Sequence, residues 1–210
     1  MYDLEEQEKI DAMKAWWTRY GKLAWMVVLV AVGVYAGWKG WRHHLDVRAG
    51  EAAVMFEAVS DAAQQSDPAR TLQAAQHLQD AQPDSGLAAR AALISATVSH
   101  AHSDKASTMT ELDWVANHAS EPALADLARL RKAGLLADDK KYGEALALLE
   151  ANHQDDFMAM TADLKGDIYL VQGRSTDARM AYKTAMEKAT PNDALRQIAQ
   201  IKLDALGVSP

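Results

Sequence analysis

"ADLKGDIYLVQGRSTDARMAYKTAME", residues 162–187, carries two runs of helical periodicity joined by a short turn. Its residue sizes are ordered. Gly166 and Ala178 are small, as two antiparallel helices require where their backbones come closest. Tyr169 and Tyr182 are large and suit the groove beside that approach. Gly173 lies in the turn "QGRS" (172–175), and Ala185 continues the small-residue stripe one turn beyond Tyr182. No period-two alternation competes with this pattern. The stretch reads as a helical hairpin.

Working outward, "KKYGEA" (140–145) and "GRSTDA" (173–178) occupy equivalent turns. Their offset is close to the tetratricopeptide period of about 34. In the preceding unit Ala133, Leu136, Ala145 and Leu149 fit the spacing, with Lys140 in place of the turn glycine. A third unit, around Ala96, Leu112 and Val115, shares the phase. Polar or Pro/Gly breaks recur at helix-length intervals and divide the chain into eight or nine helices. Pro68, Pro122 and Pro191 stand where a first helical turn tolerates proline, and Asp67, Thr190 and Asn192 are candidate N-caps. A stacked array needs closure at its ends. The predicted closing helix is 191–206, with Leu195, Ile198, Ile201 and Leu206 as its apolar residues.

The N-terminal third differs. The run Leu23 to Trp38, between Lys22 and Lys39, is free of formal charge. It rises about 24 Å, short of a hydrocarbon core of about 30 Å. The rims supply the difference. Lys22 and Lys39 can snorkel, and Trp16, Trp17, Tyr20 and Trp25 face Trp38 and Trp41 across the run, as membrane interfaces favour. A buried core helix would show polar residues every third or fourth position, which this run lacks. A cleaved signal could use Val34-Tyr35-Ala36, but "MYDLEEQEKIDAMKAWW" is long and acidic where a signal n-region is short and basic. A retained single-pass anchor fits best, with Trp17, Tyr20, Lys22, Trp38, Lys39 and Trp41 at its rims. Three cations precede the run (Lys14, Arg19, Lys22) and three follow it (Lys39, Arg42, Arg48), so charge leaves the orientation open. The expected fold class is all-α: one transmembrane helix, then a tetratricopeptide-like helical-hairpin solenoid. The expected boundaries are a tail at 1–20, the span at 21–41 and the repeat domain at 42–210, with Arg48 to Gln65 continuing from the membrane helix.

Chemistry is sparse. The formal net charge of −7 offers no basic surface for nucleic acid. Cysteine is absent, so neither redox compartment is excluded. His100 and His102 are two apart and diverge by about 200° on a helix, which prevents a shared metal. His43-His44 suits a solvated rim. No HExxH, GxSxG, GxxxxGK[ST] or GxGxxG pattern occurs. Asp138-Asp139 and Asp155-Asp156 fall at breaks, and the second pair suits a helix N-terminus. The expectation is a non-enzyme with no cofactor and no metal. A solenoid of this kind binds polypeptide; the candidate protein-binding face is Trp114, Met158, Met160, Tyr169 and Tyr182, each with inter-helix packing as the competing role.

The acidic N-terminus ending in Trp16-Trp17, then Gly21-Lys22, the apolar run, Gly37-Trp38 and Trp41, together with residues 162–187, resembles the YfgM-like family. This is the ancillary SecYEG translocon subunit of Gram-negative bacteria. The resemblance extends along nearly the whole chain and is least marked over 87–118. It implies an inner-membrane protein with a cytoplasmic N-terminus and a periplasmic repeat domain. It further implies association with the SecYEG translocon and with periplasmic chaperones, soluble or membrane-anchored, and no catalytic residues. The function expected is hand-over and folding of secreted proteins. Two alternatives belong to other classes: a structural oligomerisation module of an envelope complex, and a regulator acting through the tail, where Glu5, Glu6, Glu8 and Asp11 mix with Lys9, Lys14 and Arg19.

Overall fold

The structure, a computed structural model, describes residues 2–151, 155–191 and 193–207, with all their side chains except those of residues 2–12, 15, 24 and 28. His153, Asn192 and the side chains of Glu5, Glu6, Glu8, Lys9 and Asp11 therefore lie outside the description. Among the described residues there are nine α-helices and no strand. They are α1 (Tyr2–Gln64), α2 (Pro68–Ala81), α3 (Gly86–Ala101), α4 (Lys105–His118), α5 (Pro122–Asp138), α6 (Tyr142–Glu150), α7 (Asp155–Val171), α8 (Ser175–Lys188) and α9 (Ala194–Ala205). The chain divides into two compact units, Met1–Gly50 and Glu51–Pro210.

In the first unit, α1 contains a helix long and apolar enough to cross a membrane. Almost none of that apolar stretch is buried. Leu23, Trp25, Val27, Leu29, Val30, Val32 and Val34 all face outward. Such exposure removes the core-helix reading, because a core helix buries its apolar surface.

The second unit begins with the last turns of α1. Ala52 and Val59 pack with Ala75 and Leu78 of α2 and Ala88 and Ala91 of α3. Each later hairpin packs on the next, and α3 touches α5, α5 touches α7, and α7 touches α9. Helices α3, α5, α7 and α9 thus form one layer, and α4, α6 and α8 pack on it, as stacked hairpins do. The core is built from small residues: of 27 buried apolar residues among those described, 18 are alanine. Helices lined by alanine approach closely, and the few large side chains fill what remains: Leu78, Leu112, Leu136, Leu149, Ile168 and Tyr182.

Local chemistry sets the helix starts. Asp67 caps α2, accepting from the Arg70 amide at 3.0 Å, with Pro68 as the first helical residue. Ser85 and Asp104 cap α3 and α4 in the same way. Pro122 opens α5 after Glu121, which makes no side-chain cap. Two expectations for α9 are corrected. Its cap is Asp193, accepting from the Leu195 amide at 3.0 Å, and not Thr190, while Pro191 lies in the turn before the helix. The carboxylate nearest the first turn wins over neighbours that are equally turn-prone. The expected apolar set of α9 also splits. Leu195 and Leu206 are half-buried with Ala199 fully buried, whereas Ile198 and Ile201 are exposed.

Four described within-repeat turns share one geometry. Ser66, Ser103, Lys140 and Gly173 are left-handed, with φ of 53°, 61°, 61° and 75°. In each, the following amide bonds back five residues: Asp67 to Ala62, Asp104 to Ser99, Lys141 to Leu136 and Arg174 to Tyr169, at 2.8–3.2 Å. This is the Schellman closure, which satisfies carbonyls at a helix C-terminus. The interval from Lys140 to Gly173 is shorter than the two before it, so the near-tetratricopeptide spacing seen in the sequence holds only for the last pair. Lys140 carries the same backbone as Gly173, at a steric cost that glycine avoids. Lys140→Gly is expected to stabilise the chain by about 0.5–1 kcal/mol, net of unfolded-state entropy. A thermal melt beside Gly173→Ala, which should lose about 1 kcal/mol or more, checks the pair.

Candidate functional site

In the first unit Trp16, Trp17 and Tyr20 form one aromatic cluster, with the Trp16 and Tyr20 rings 5.9 Å apart. Tyr35 and Trp38 form another, with the Arg42 guanidinium 4.9 Å above the Trp38 ring. From Tyr20 to Trp38 the helix rises about 27 Å, close to the hydrocarbon thickness. Lys22, Lys39 and Trp41 are exposed beside these clusters.

In the second unit the five residues expected on a binding face do not share one. Tyr182 is fully buried and is corrected to a packing residue. A Cβ on Gly166 would lie 2.4 Å from its ring, and its hydroxyl donates to Asp167 Oδ1 at 2.7 Å. Burial, reinforced by the Asp167 carboxylate, pushes the Tyr182 phenol above the ordinary tyrosine range. Trp114 is half-buried against both N-terminal core clusters and stacks on His118 at 4.9 Å. Tyr169 is half-buried beneath the Arg174 guanidinium, 4.3 Å from its centroid. Met158 is half-buried in a groove of about 430 Å³ with Lys165, Ala181 and Thr184. Met160 is exposed. Two residues apart on α7, the methionines point in diverging directions. Leu170 and Val171 are also exposed, and Val171, about three turns beyond Met160, shares its stripe.

A polar clasp holds α9 beside that stripe. Lys202 Nζ donates to Asp163 Oδ2 and to the Asp167 carboxylate, both at 2.8 Å, and lies 5.4 Å above the Tyr182 ring. Burial raises the Asp163 carboxyl above the ordinary aspartate range even with Lys202 beside it. Burial works against the Lys202 ammonium, but the two carboxylates outweigh it and raise its pKa. Arg179 donates to the Leu206 carbonyl at 3.0 Å, and Arg196 to that of Met186 at 2.8 Å.

Two further features escaped the sequence. The first is Glu111, buried on α4 and accepting from Gln79 Nε2 of α2 at 2.7 Å. Burial pushes its carboxyl up to about 7, against the effect of the Gln79 bond. Because the folded chain holds this proton more tightly than the unfolded one, stability falls as pH rises from the ordinary glutamate range through about 7. Glu111→Gln should therefore match the parent near pH 4.5 and exceed it at pH 8 by on the order of 1–3 kcal/mol. Urea denaturation at the two pH values reads the difference.

The second is a pocket of about 270 Å³ between α3, α4 and α5. Ala96, Thr108, Leu112 and Leu135 line its apolar part, and Thr97, His100 and Arg131 its polar part. Arg131 donates to Thr97 Oγ1 at 3.3 Å. Among the described residues no group of three metal-ligating side chains occurs.

A family model described as a tetratricopeptide repeat-like domain matches residues 14–208. A protein of Neisseria gonorrhoeae named ancillary SecYEG translocon subunit is 30% identical, over 97% of this chain and 98% of its own length. Proteins of the same name from Escherichia coli and Haemophilus influenzae are 26% and 24% identical, over 97% and 98% of this chain.

Proposed function

From the premise that this chain belongs to the tetratricopeptide repeat-like family of ancillary SecYEG translocon subunits, we propose that it is anchored in the bacterial inner membrane by α1 and associates with the SecYEG translocon. Its repeat domain stands on the periplasmic side, with the N-terminus cytoplasmic. There it meets periplasmic chaperones, soluble or membrane-anchored, and aids hand-over of emerging polypeptides. The observation that carries the reading is one chain joining an outward-facing apolar helix with aromatic rims to a stacked-hairpin layer, matched over 97% of its length by a relative named as a translocon subunit. No catalytic role enters it. Tethering suits a weak binder, because it holds a high local concentration at the channel exit.

Crosslinking in native membranes tests the association: translocon subunits and chaperones should be recovered with this chain. Their absence, where established translocon subunits are recovered together, would overturn it. A compartment-dependent reporter at the C-terminus tests the orientation, and a cytoplasmic signal would refute the placement. One observation favours a second reading, self-association in an envelope complex. Ala194, Ile198, Ile201 and Ala205 form an exposed apolar stripe on α9, which has no following hairpin among the described residues to cover it. A monomeric mass for the full chain in nanodiscs would sink that reading.

A further inference from the structure

We propose that the pocket between α3, α4 and α5 is a peptide subsite for an apolar side chain followed by an acidic one, with Arg131 pairing the carboxylate. This rests on the reading that the repeat domain binds polypeptide and names the chemistry it selects. Three observations converge. The pocket, about 270 Å³, is smaller than the roughly 300–1,000 Å³ of small-molecule sites and suits one or two side chains. Its floor is largely apolar: Ala96 and Leu112 are core residues, and Thr108, equally buried, spends its hydroxyl on the Asp104 carbonyl, so the walls are preformed. Arg131 is an exposed cation in an acidic chain, and its one hydrogen bond among the described residues is a long one to the neutral Thr97 hydroxyl.

The other cations of this region differ. Arg90 bonds Glu121, Lys105 bonds Asp139, Arg129 bonds Asp126 and Lys132 bonds Asp113. One turn either side of Arg131 stand Leu127, Ala128, Gly134 and Leu135, none of them acidic. A guanidinium fork beside an apolar pocket recognises a carboxylate through charge-assisted, bidentate bonds. The adjoining apolar side chain supplies the buried area.

The test uses the full chain in lipid nanodiscs and three fluorescent dodecapeptides with blocked termini. One carries Leu-Glu-Leu-Asp at its centre, one Leu-Gln-Leu-Asn and one Ser-Glu-Ser-Asp. The first should bind about tenfold tighter than either of the others, and the margin should shrink at high salt. Arg131→Glu should abolish the preference for the acidic peptide while leaving the Leu-Gln-Leu-Asn peptide unchanged; Arg131→Lys should retain part of it. Thr97→Phe, which fills the mouth, should weaken both leucine peptides. Unchanged selectivity in Arg131→Glu, or unchanged binding in Thr97→Phe, overturns the subsite and leaves polypeptide binding standing. Failure of every peptide to bind the parent chain overturns both.

Discussion

Gly166→Ala is expected to destabilise the repeat domain by about 2–3 kcal/mol, lowering its melting temperature by roughly 5–10 °C. In an isolated helix the same change would help by about 1 kcal/mol. Here the new methyl would stand 2.4 Å from Tyr182 Cε1 and 2.5 Å from Cδ1. The ring cannot yield, because it is fully buried and its hydroxyl is fixed on Asp167. The helices must move apart, and the cluster of Ala162, Ala185 and Ala199 moves with them. Gly134→Ala is the control. It lies inside α5 with nothing within 4 Å of an added Cβ, so it should gain about 0.5–1 kcal/mol. Tyr182→Leu in the Gly166→Ala background should recover part of the loss, a coupling readable in a double-mutant cycle.

Lys202→Met is expected to cost about 2–4 kcal/mol at neutral pH. It removes the cation that compensates Asp163, whose side chain is 15% exposed, and breaking one partner of a buried pair strands the other charge. The deficit should shrink as pH falls. Burial already raises the Asp163 carboxyl, and without Lys202 it protonates more readily, which removes the stranded charge. Asp163→Asn in the Lys202→Met background should restore much of the stability at pH 8. Chemical denaturation of the parent and the two variants at pH 5 and pH 8 separates this electrostatic loss from a packing loss, which would not depend on pH.

The last hairpin was the most legible part of the sequence. Close approach at Gly166 and Ala178 admits only small residues, and Tyr182 answers them at a fixed spacing. The earlier hairpins were less legible. Their turns use Ser66, Ser103 and Lys140 in the left-handed region, where a reader looks for glycine, and the intervals between those three exceed the repeat length. At "TPND" four residues favour a turn, and only geometry selects Asp193 as the cap. Tyr182 looked suited to a binding face because an aromatic at helical spacing serves core and surface alike. The pocket at Arg131 was invisible for another reason. It is assembled from Thr97 and Arg131, 34 residues apart, and the sequence signal that could have pointed to it was a cation with no acid one turn away. Glu111 carried no signal at all, since its partner Gln79 lies on α2, 32 residues away along the chain.

The alanine-lined core gives the domain a directional tolerance to mutation. Truncation, the usual probe of a hydrophobic interior, has nothing to remove at 18 of the 27 described buried apolar positions. An alanine scan would therefore pass over two-thirds of the structure it is meant to map. Enlargement is the informative perturbation: a deep mutational library should show these positions accepting glycine or serine far more readily than leucine. For a chain built this way, sequence drift is bounded by growth of side chains, not by their loss.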